Sequence, residues 1–347
     1  MKDKEVLEEQ KIYDRVLERI GEPPGSPYTT RVLKKLMTLK EAEMLLQMPA
    51  TAEELVKKWN MDTQAFTAKI QEFLERGLAA TRGAQLVSFV ALRDLTLASN
   101  PKYVDLELQD LWRESWYKEE REHFGTHFLG DLKAPFVRII PSRLALQKSP
   151  PPPGGVLPEE DIEAIFRMAR RIVTVRCPCR LAMRNCDRPL HCFQFNASAD
   201  YNIRRGSAVQ ELSLEEALAA SDECERSGML HMLTVDRIRS MCNCCGDCCV
   251  IVDSGVEYGT MEKGLVKSRY QATVDLDSCK GCQDCVENCP CSAIEMLKAP
   301  GSKKLKAFVA PEKCWGCGAC VVACEEGALT LKLVRPDRSR LFAEGLR

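Results

Sequence analysis

Apolar residues recur every three or four positions in two neighbouring segments of the amino-terminal part, which predicts two amphipathic helices. The first helix begins at Thr51-Ala-Glu-Glu54, a pattern that resembles a capping box, and ends at Asn60-Met61-Asp62. The second runs from about Thr63 to Gly77, because glycine is favoured just past a helix end. Its apolar face consists of Phe66, Ile70, Phe73 and Leu74.

Two strand-like pieces follow these helices, one around Leu78 and one from Leu86 to Val90, with Arg82-Gly83 between them. Helix, turn, helix and hairpin in this order resemble a winged-helix domain, which implies DNA binding or docking of a partner. From Asp62 to Gly77 the chain has two basic and three acidic side chains, a net charge of −1 (2 − 3). A DNA-reading helix needs a basic surface, so this composition favours a docking or structural module.

A further amphipathic helical stretch is predicted over residues 103–128. Its core or interface side chains are Leu106, Leu108, Leu111, Trp112, Trp116 and Phe124. His123 and His127 stand four residues apart near its end, a spacing that can hold a metal. The segment HFGTH lacks the glutamate of the zinc-peptidase motif and contains a glycine, which argues against a ligand pair.

Composition adds one unusual feature, the placement of the cysteines. The chain has 347 residues and 19 cysteines, the first of which is Cys177, while 49 basic and 50 acidic residues leave it almost neutral. The first 20 residues are charged throughout and lack the apolar core of a secretory signal, which predicts a cytoplasmic protein with reduced thiols. No run approaches the roughly 18 apolar residues of a membrane span. Clustered cysteines are then expected to be metal ligands.

The last third of the chain contains the same cysteine spacing twice. Cys279-Lys-Gly-Cys282-Gln-Asp-Cys285-Val-Glu-Asn-Cys289-Pro290 matches the C-x2-C-x2-C-x3-C-P pattern. Cys314-Trp-Gly-Cys317-Gly-Ala-Cys320-Val-Val-Ala-Cys324 repeats it 35 residues later (314 − 279). Apolar residues around both motifs recur at the same offset, which indicates an internal duplication. Zinc ribbons would instead have C-x2-C pairs without the third cysteine.

This repeat resembles the bacterial two-cluster ferredoxin family over about residues 271–333. The resemblance implies two [4Fe-4S] clusters, each bound by three cysteines of one motif and the fourth cysteine of the other. Cluster one would be bound by Cys279, Cys282, Cys285 and Cys324. Cluster two would be bound by Cys314, Cys317, Cys320 and Cys289. The second motif differs in ending Cys324-Glu325 and in containing Trp315, so the two clusters are expected to differ in reduction potential.

The region between the proline-rich segment 149–155 and the repeat predicts alternating helices and strands. A helix starts at Leu157–Asp161, and Ile172–Val175 is a buried strand leading to Cys177-Pro-Cys179. Another helix starts at the cap Ser213, and His231–Val235 predicts a second strand. The cysteines therefore lie at strand ends and in loops.

Nine cysteines of this region form no repeat of the ferredoxin kind. They are Cys177, Cys179, Cys186, Cys192, Cys242, Cys244, Cys245, Cys248 and Cys249. Cys224 and Cys291 are interpreted as spare thiols. One or two further iron–sulfur clusters are the leading interpretation, because thiolate sites beside a ferredoxin unit form one electron path; zinc and a redox-active or catalytic thiol are the alternatives. His191 and His231 are candidate ligands or proton donors, or core histidines.

The predicted fold class is α+β multidomain. Residues 1–148 form a helical, winged-helix-like docking domain, 149–155 a proline-rich linker, 156–265 a cysteine-rich α/β metallocluster domain, and 266–347 the two-cluster ferredoxin domain. The order of CPCR, spaced cysteines, CNCC-x2-CC and ferredoxin resembles multidomain iron–sulfur proteins of anaerobes, a group whose chemistry is unassigned.

Three functions follow from this organisation. The leading hypothesis is an electron-transfer protein in which the two clusters exchange single electrons with a metallocluster in the middle domain, while the amino-terminal domain docks a redox partner or enzyme complex. The first alternative is an oxidoreductase that reduces a small substrate at the middle-domain cluster, with Arg180, His191 or His231 as polar partners. The second is a redox-sensing winged-helix regulator. No nucleotide-binding or serine-nucleophile motif is present in the sequence.

Overall fold

The computed structural model describes residues 2–88, 102–235 and 238–336, with the side chains from residue 6 onwards. Contacts divide the chain into two compact units. The first consists of Met1–Phe124, Leu181–Met183 and Tyr201–Ala208, and the second of Gly125–Arg180, Arg184–Asp200 and Val209–Arg347. Helices and strands are mixed throughout. In the described part of the chain, no helix combines the length and the apolar character that a membrane crossing requires.

The first unit is mainly helical. Its helices are α1 (Lys2–Ile20), α2 (Pro27–Leu36), α3 (Leu39–Leu45), α4 (Ala52–Trp59), α5 (Thr63–Arg76), α6 (Leu106–Ser115) and α7 (Arg121–His123). A π-helical turn, Trp116–Glu120, joins α6 to α7, and a second, Phe124–Leu129, follows α7. The strands β1 (Ala50–Thr51), β2 (Ala79–Arg82) and β3 (Gln85–Ser88) form a sheet in the order β1-β3-β2.

The two helices and the hairpin predicted from the hydrophobic pattern are present. The Thr51 hydroxyl accepts a hydrogen bond from the Glu54 amide while the Glu54 carboxylate accepts one from the Thr51 amide, so the capping box is confirmed. Gly77 ends α5 with φ 74°, a conformation that glycine adopts without strain. The predicted strand residues Phe89 and Val90 lie outside the described part of the chain.

The predicted helical stretch of residues 103–128 is also present. Trp112 and Trp116 are buried, whereas Leu106 is 68 % exposed because it is the first residue of α6 and faces outwards. The imidazole of His123 bonds through Nε2 to the Gly21 carbonyl oxygen at 2.7 Å. His127 Nδ1 bonds to Thr126 Oγ1 at 2.9 Å. One ring nitrogen of each histidine thus bonds to a neighbouring protein group.

The second unit is built on a seven-stranded sheet with the order β10-β4-β8-β9-β6-β5-β7. Its strands are β4 (Val137–Ile140), β5 (Ile172–Arg176), β6 (His191–Phe195), β7 (Ala208–Glu211), β8 (Leu230–Thr234), β9 (Ser240–Cys244) and β10 (Leu265–Val266). Pairing from β4 to β5 is antiparallel, and β10 joins β4 in parallel. The predicted strands at 172 and 231 are confirmed. Strand β4 precedes the proline-rich segment and β5 follows it, yet both belong to this sheet.

Helices cover this sheet and connect its strands. They are α8 (Arg143–Gln147), α9 (Ile162–Met168), α10 (Pro178–Met183), α11 (Asn196–Arg204), α12 (Leu214–Arg226), α13 (Val250–Glu257) and α14 (Met261–Gly264). The predicted cap Ser213 opens α12 with a complete capping box. The helix predicted from 157 is a 3₁₀ turn, Pro158–Glu160, followed by α9, because the Asp161 carboxylate caps the next turn. Phe166 of α9 contacts Phe193 and Phe195 of the sheet and forms its core.

The duplicated segment forms two antiparallel strand pairs and two short helices. The strands are β11 (Tyr270–Val274), β12 (Ile294–Lys298), β13 (Leu305–Val309) and β14 (Leu329–Leu333), and the helices are α15 (Asp284–Glu287) and α16 (Ala319–Ala323). Strand β11 pairs with β14, and β12 with β13. The first strand of the segment thus pairs with the last, so the two halves close on each other.

Two interacting carboxyl groups, the buried Glu120 and the half-buried Glu22, lie within the first unit. Burial and the Glu22 carboxylate raise the pKa of Glu120 to about 8, although hydrogen bonds from Ser115 and Trp112 oppose this. Burial and Glu119 raise the pKa of Glu22 to about 7. A raised carboxyl pKa means that the folded state binds protons more strongly than the unfolded state.

We therefore predict that the first unit becomes less stable as the pH rises from about 4.5 towards about 8. The stabilisation is complete below the unfolded pKa and is lost as pH passes through the folded pKa. Urea unfolding followed by tryptophan fluorescence at pH 5.5, 7 and 8.5 measures it, with an expected loss of about 2–4 kcal/mol over this range. The variant Glu120→Gln keeps the shape of the protonated side chain and should make the free energy of unfolding depend less on pH. An unchanged pH dependence in this variant would contradict the attribution to Glu120.

Candidate metal centres

The two cysteine motifs of the duplicated segment occupy equivalent places in its two halves. Cys279 and Cys282 lie in the loop after β11, and Cys285 lies in α15. In the second half, Cys314 and Cys317 follow β13 and Cys320 lies in α16. The fourth cysteines, Cys289 and Cys324, follow the two helices.

One small cavity receives cysteines from both motifs. Cys289 of the first motif lines it together with Cys314, Cys317 and Cys320 of the second, and Cys291 also lies on its wall. Four thiols from two distant loops around one cavity fit a [4Fe-4S] cluster with crossed ligation. The donor set is soft and all-thiolate, as such a cluster requires.

The thiols of each proposed ligand set perturb one another. Burial, together with Cys282, Cys279 and Cys324, raises the pKa of Cys285 to about 11. Burial together with Cys289 and Cys314 raises the pKa of Cys317 to about 12, against a hydrogen bond from the Ala319 amide. Crowded, buried thiols that resist ionisation are expected to lose their protons only when a metal centre binds.

Glycines allow the two cysteine loops to pass close to neighbouring backbone. A Cβ on Gly316 would lie 2.0 Å from the Tyr270 carbonyl oxygen, and one on Gly281 would lie 2.4 Å from that of Leu305. Both glycines have positive φ, 70° and 73° respectively. Any larger residue would displace the loop, so the glycines fix the cysteine geometry.

The two halves differ in exposure to water. Cys282 of the first motif is exposed, whereas Trp315 inside the second motif is 5 % exposed and lines the cavity beside Cys314. The indole of Trp315 therefore separates the second ligand set from solvent, which agrees with its position between Cys314 and Cys317 in the sequence. Solvent exposure is one of the factors that set the potential of an iron–sulfur cluster.

In the seven-stranded sheet, Cys186, Cys245 and Cys248 form a three-thiol group. Their Sγ atoms lie within 4.8 Å of one another, with 3.8 Å between Cys186 and Cys245 and 3.6 Å between Cys186 and Cys248. No fourth histidine, cysteine or carboxylate of the described residues completes this group. The Arg180 guanidinium is buried beside it, 3.7 Å from the Cys245 sulfur.

Arg180 makes this group electropositive. A hydrogen bond from the Cys248 thiol lowers the pKa of Cys245 to about 4, and Arg180 contributes in the same direction against the effect of burial. The guanidinium also donates to the carbonyl oxygens of Pro189 and Asn243, the latter at 3.0 Å. Arg180 is therefore held in place by the backbone while its charge faces the thiols.

The other six cysteines of the region form a strand-end group around β5, β6 and β9. Its members are Cys177, Cys179, Cys192, Cys242, Cys244 and Cys249. Cys192 and Cys242 are opposite each other in the register of β6 and β9, with sulfurs 3.9 Å apart. The sulfurs of Cys244 and Cys249 are 3.2 Å apart. The thiol of Cys179 and then burial raise the pKa of Cys177 well above its usual value.

The two cysteines interpreted as spare thiols are buried. Cys224 lies in α12, where burial raises the pKa of its thiol to about 12. It belongs to neither group of thiols. Cys291 lies on the wall of the cavity that the proposed ligands of cluster two also line, so its thiol is adjacent to that ligand set.

His231 is a buried link in a polar network. Its Nδ1 faces the Asn243 side-chain oxygen at 2.7 Å and its Nε2 faces a Glu225 carboxylate oxygen at 3.1 Å. The Asn243 amide donates to the His191 carbonyl oxygen, which orients its own oxygen towards the imidazole. Both ring nitrogens of His231 therefore have a buried polar partner. His191 itself lies 3.4 Å from Glu223.

Glu225 extends this network to the second cysteine motif. Its carboxylate accepts hydrogen bonds from the Ser142 hydroxyl at 2.5 Å and from the amides of Arg143 and Leu144 at 2.9 and 2.8 Å. The Ser142 amide in turn donates to the Cys317 carbonyl oxygen at 2.8 Å. Although burial opposes it, these bonds and His231 lower the pKa of Glu225. Asn243, the middle of Cys-Asn-Cys, is thus connected to the Cys317 loop.

A direct contact also joins the cysteines of the middle region to the ferredoxin motifs. A Cβ on Gly246 would lie 3.0 Å from the Pro290 carbonyl oxygen, one residue after Cys289. A Cβ on Gly228 would lie 2.2 Å from the Asn288 side-chain oxygen. The segment between Cys245 and Cys248 therefore packs on the segment that contains Cys289.

Sequence reasoning did not identify Glu225, Ser142 or Asn243. Asn243 could have been found, because it lies between two candidate ligands. Glu225 and Ser142 are 83 positions apart in the chain and carry no motif. Only the packing of α12 against the segment before α8 brings them together.

The iron content of anaerobically purified protein tests the two middle groups. If they hold iron–sulfur clusters, we expect about 12–16 irons per chain with matching acid-labile sulfide, because two cubes alone account for about 8. The variant Cys186→Ser should lose iron, whereas Cys224→Ser, which removes a thiol outside both groups, should keep it. About 8 irons in the parent protein, with zinc present, would contradict middle-region clusters.

Comparisons with known proteins agree with the duplicated motif. Residues 278–328 match the family described as 4Fe-4S dicluster domain. No curated protein matches the chain. The match covers both cysteine motifs and stops short of the middle region. The carboxyl-terminal part of the chain thus carries a 4Fe-4S dicluster domain, a domain of iron–sulfur electron transfer.

Proposed function

We propose that the protein passes single electrons between the two [4Fe-4S] clusters of its dicluster domain and a further cysteine-bound centre in the middle region. The observation that carries this proposal is the contact of Gly246 with Pro290. The Cys245–Cys248 segment thus lies against the segment that contains Cys289, the proposed fourth ligand of the second cluster. Electron transfer is fast only over short distances, so this contact provides the route.

The chain's own residues supply the ligands and their environment. Cluster one would be held by Cys279, Cys282, Cys285 and Cys324, and cluster two by Cys289, Cys314, Cys317 and Cys320. Each cluster, when bound, accepts or gives one electron. The exposed Cys282 marks the first cluster as the entry or exit for a redox partner, and the buried Trp315 marks the second as the internal relay.

The helix, helix and hairpin of the first unit fit a winged-helix-like docking module for that partner. Both basic side chains of α5 are already engaged. Lys69 and Arg76 pair with Glu41 at 2.8 and 2.7 Å and with Glu72 at 2.9 and 2.6 Å. Cations neutralised in this way are poorly placed to bind phosphates, which favours a protein partner over DNA.

The three-thiol group supports a second candidate function, reduction of a small substrate. Cys186, Cys245 and Cys248 offer three ligands, so a cluster bound there would leave one position for a molecule other than a described side chain. Arg180 and Arg188 provide positive charge next to it. Cyanide should then change the electron paramagnetic resonance spectrum of the middle centre while leaving both ferredoxin signals unchanged. An unaltered spectrum would favour electron relay alone.

Substitution of Gly246 tests the relay. In Gly246→Val the larger side chain should separate the two segments, at a packing cost of about 1–3 kcal/mol. We expect slower electron equilibration between the dicluster domain and the middle centre, measured by rapid-freeze spectroscopy after one-electron photoreduction. Gly246→Ala should have a smaller effect. Unchanged rates in both variants, at parental iron content, would contradict the route.

A further inference from the structure

Cys291 is a fifth thiol beside a ligand set that needs four. It lines the same small cavity as the proposed ligands of the second cluster, Cys289, Cys314, Cys317 and Cys320. Cys291 is only 6 % exposed. Its thiol is close enough to those of Cys317, Cys289 and Cys314 to interact with them electrostatically. A cube of four irons is held by four cysteines, so one thiol of this cavity is surplus.

The internal duplication shows that the extra thiol belongs to one half of the domain. At the offset of 35 residues (326 − 291), Cys291 corresponds to Glu326 and Ser292 to Gly327. Ser292 and Gly327 share the left-handed backbone conformation, with φ 50° and 64°. The turn is thus repeated, yet Cys291 is buried and Glu326 is exposed. Cys324, the proposed fourth ligand of the first cluster, has no second thiol two residues after it.

A short turn joins Cys289 to Cys291, with only Pro290 between them. The Cys289 sulfur accepts a hydrogen bond from the Ala293 amide at 3.2 Å. The Ser292 amide donates to the Cys289 carbonyl oxygen, also at 3.2 Å. The positive φ of Ser292 is uncommon for residues other than glycine, so the turn contains a strained residue. Such strain reduces the cost of rearranging the turn.

We infer from this geometry that Cys291 is a reserve ligand of the second cluster and replaces Cys289 when the bond of Cys289 to iron is lost. The exchange leaves charge and electron count unchanged. The iron–sulfur bond to Cys289 breaks, one to Cys291 forms, and the proton of the Cys291 thiol passes to the departing thiolate. Only the turn around Pro290 has to move. The inference rests on the ligand set proposed for the second cluster and not on the electron relay.

Alanine substitutions test the inference, because alanine removes a thiol and offers no replacement ligand. A cube that lacks one cysteine loses the iron held by that cysteine, and the remaining three-iron cluster has its own electron paramagnetic resonance signal in the oxidised protein. After anaerobic reconstitution and oxidation, Cys289→Ala should show little of this signal beyond that of the parent protein. The double variant Cys289→Ala/Cys291→Ala should gain about one three-iron cluster per chain.

Two matched controls separate a ligand from a merely buried thiol. Cys324→Ala removes the equivalent ligand of the first cluster, beside which Glu326 replaces the extra cysteine. It should gain about one three-iron cluster per chain. Cys289→Ala/Cys224→Ala removes a buried thiol that does not line the cavity, and it should behave like Cys289→Ala. The signal of the reduced first cluster verifies that each Cys289 variant is folded.

A third variant keeps all four proposed ligands and so does not depend on assembly with one missing. In air, Cys291→Ala should accumulate the three-iron cluster faster than the parent and Cys224→Ala proteins, because damage at Cys289 is no longer repaired. Equal rates in these proteins would overturn the inference.

The two Cys289 variants also separate this inference from the assignments on which it rests. Equal gains of three-iron cluster in Cys289→Ala and Cys289→Ala/Cys291→Ala would overturn the reserve ligand and leave Cys289 as an ordinary ligand. No gain in either variant would overturn the inference together with the proposed ligand set. Neither result decides the electron relay, because that proposal is tested by rates in Gly246→Val.

Discussion

The buried carboxylate of Glu225 connects the elements that carry the middle-region cysteines with the segment that contacts the second ferredoxin motif. It accepts hydrogen bonds from the segment that begins α8, and it faces His231 of β8, which in turn orients Asn243 of β9. A buried charge is tolerated only when it is paired and hydrogen-bonded. Because the partners of Glu225 lie on two elements other than its own helix, the start of α8 and strand β8, satisfying this one charge fixes the relative positions of these three elements. The cysteine loops are attached to these elements, so their relative positions are fixed as well.

The environments of the cysteine groups differ in charge and in access to water. Arg180 is buried against the three-thiol group, while the second ferredoxin motif has Trp315 on one side and Arg335 bound to its backbone. The first ferredoxin motif exposes Cys282. Cations stabilise the more negative, reduced state of a nearby centre, and water access also tunes its potential. In the proposed relay, these differences would give the centres unequal reduction potentials, which directional electron transfer requires.

Glycines allow close backbone contacts at the cysteine loops, and ion pairs neutralise the cations of the first unit. Gly316 permits a backbone approach that a Cβ would block, and Gly246 permits one that a Cβ would crowd, so the cysteine loops can lie against their neighbours. In the first unit, the cations of α5 are satisfied by Glu41 and Glu72. That pairing stabilises the helices internally and agrees with the proposal that this unit docks a protein partner.

The sequence by itself determined the features that depend on neighbouring positions. Helix caps at Thr51 and Ser213, the strands at 172 and 231, and the two repeated cysteine motifs all follow from local spacing, because a helix turn, a strand and a cluster-binding loop each span few residues. Only the tertiary structure separated the nine middle cysteines. Adjacent Cys244 and Cys245 join different groups, as do Cys248 and Cys249, because β9 ends at Cys244 and the chain then turns between Cys245 and Cys249. The Glu225 network likewise unites residues that lie far apart along the chain. No local pattern encodes such contacts, so they exist only once the sheet and the dicluster domain have packed together.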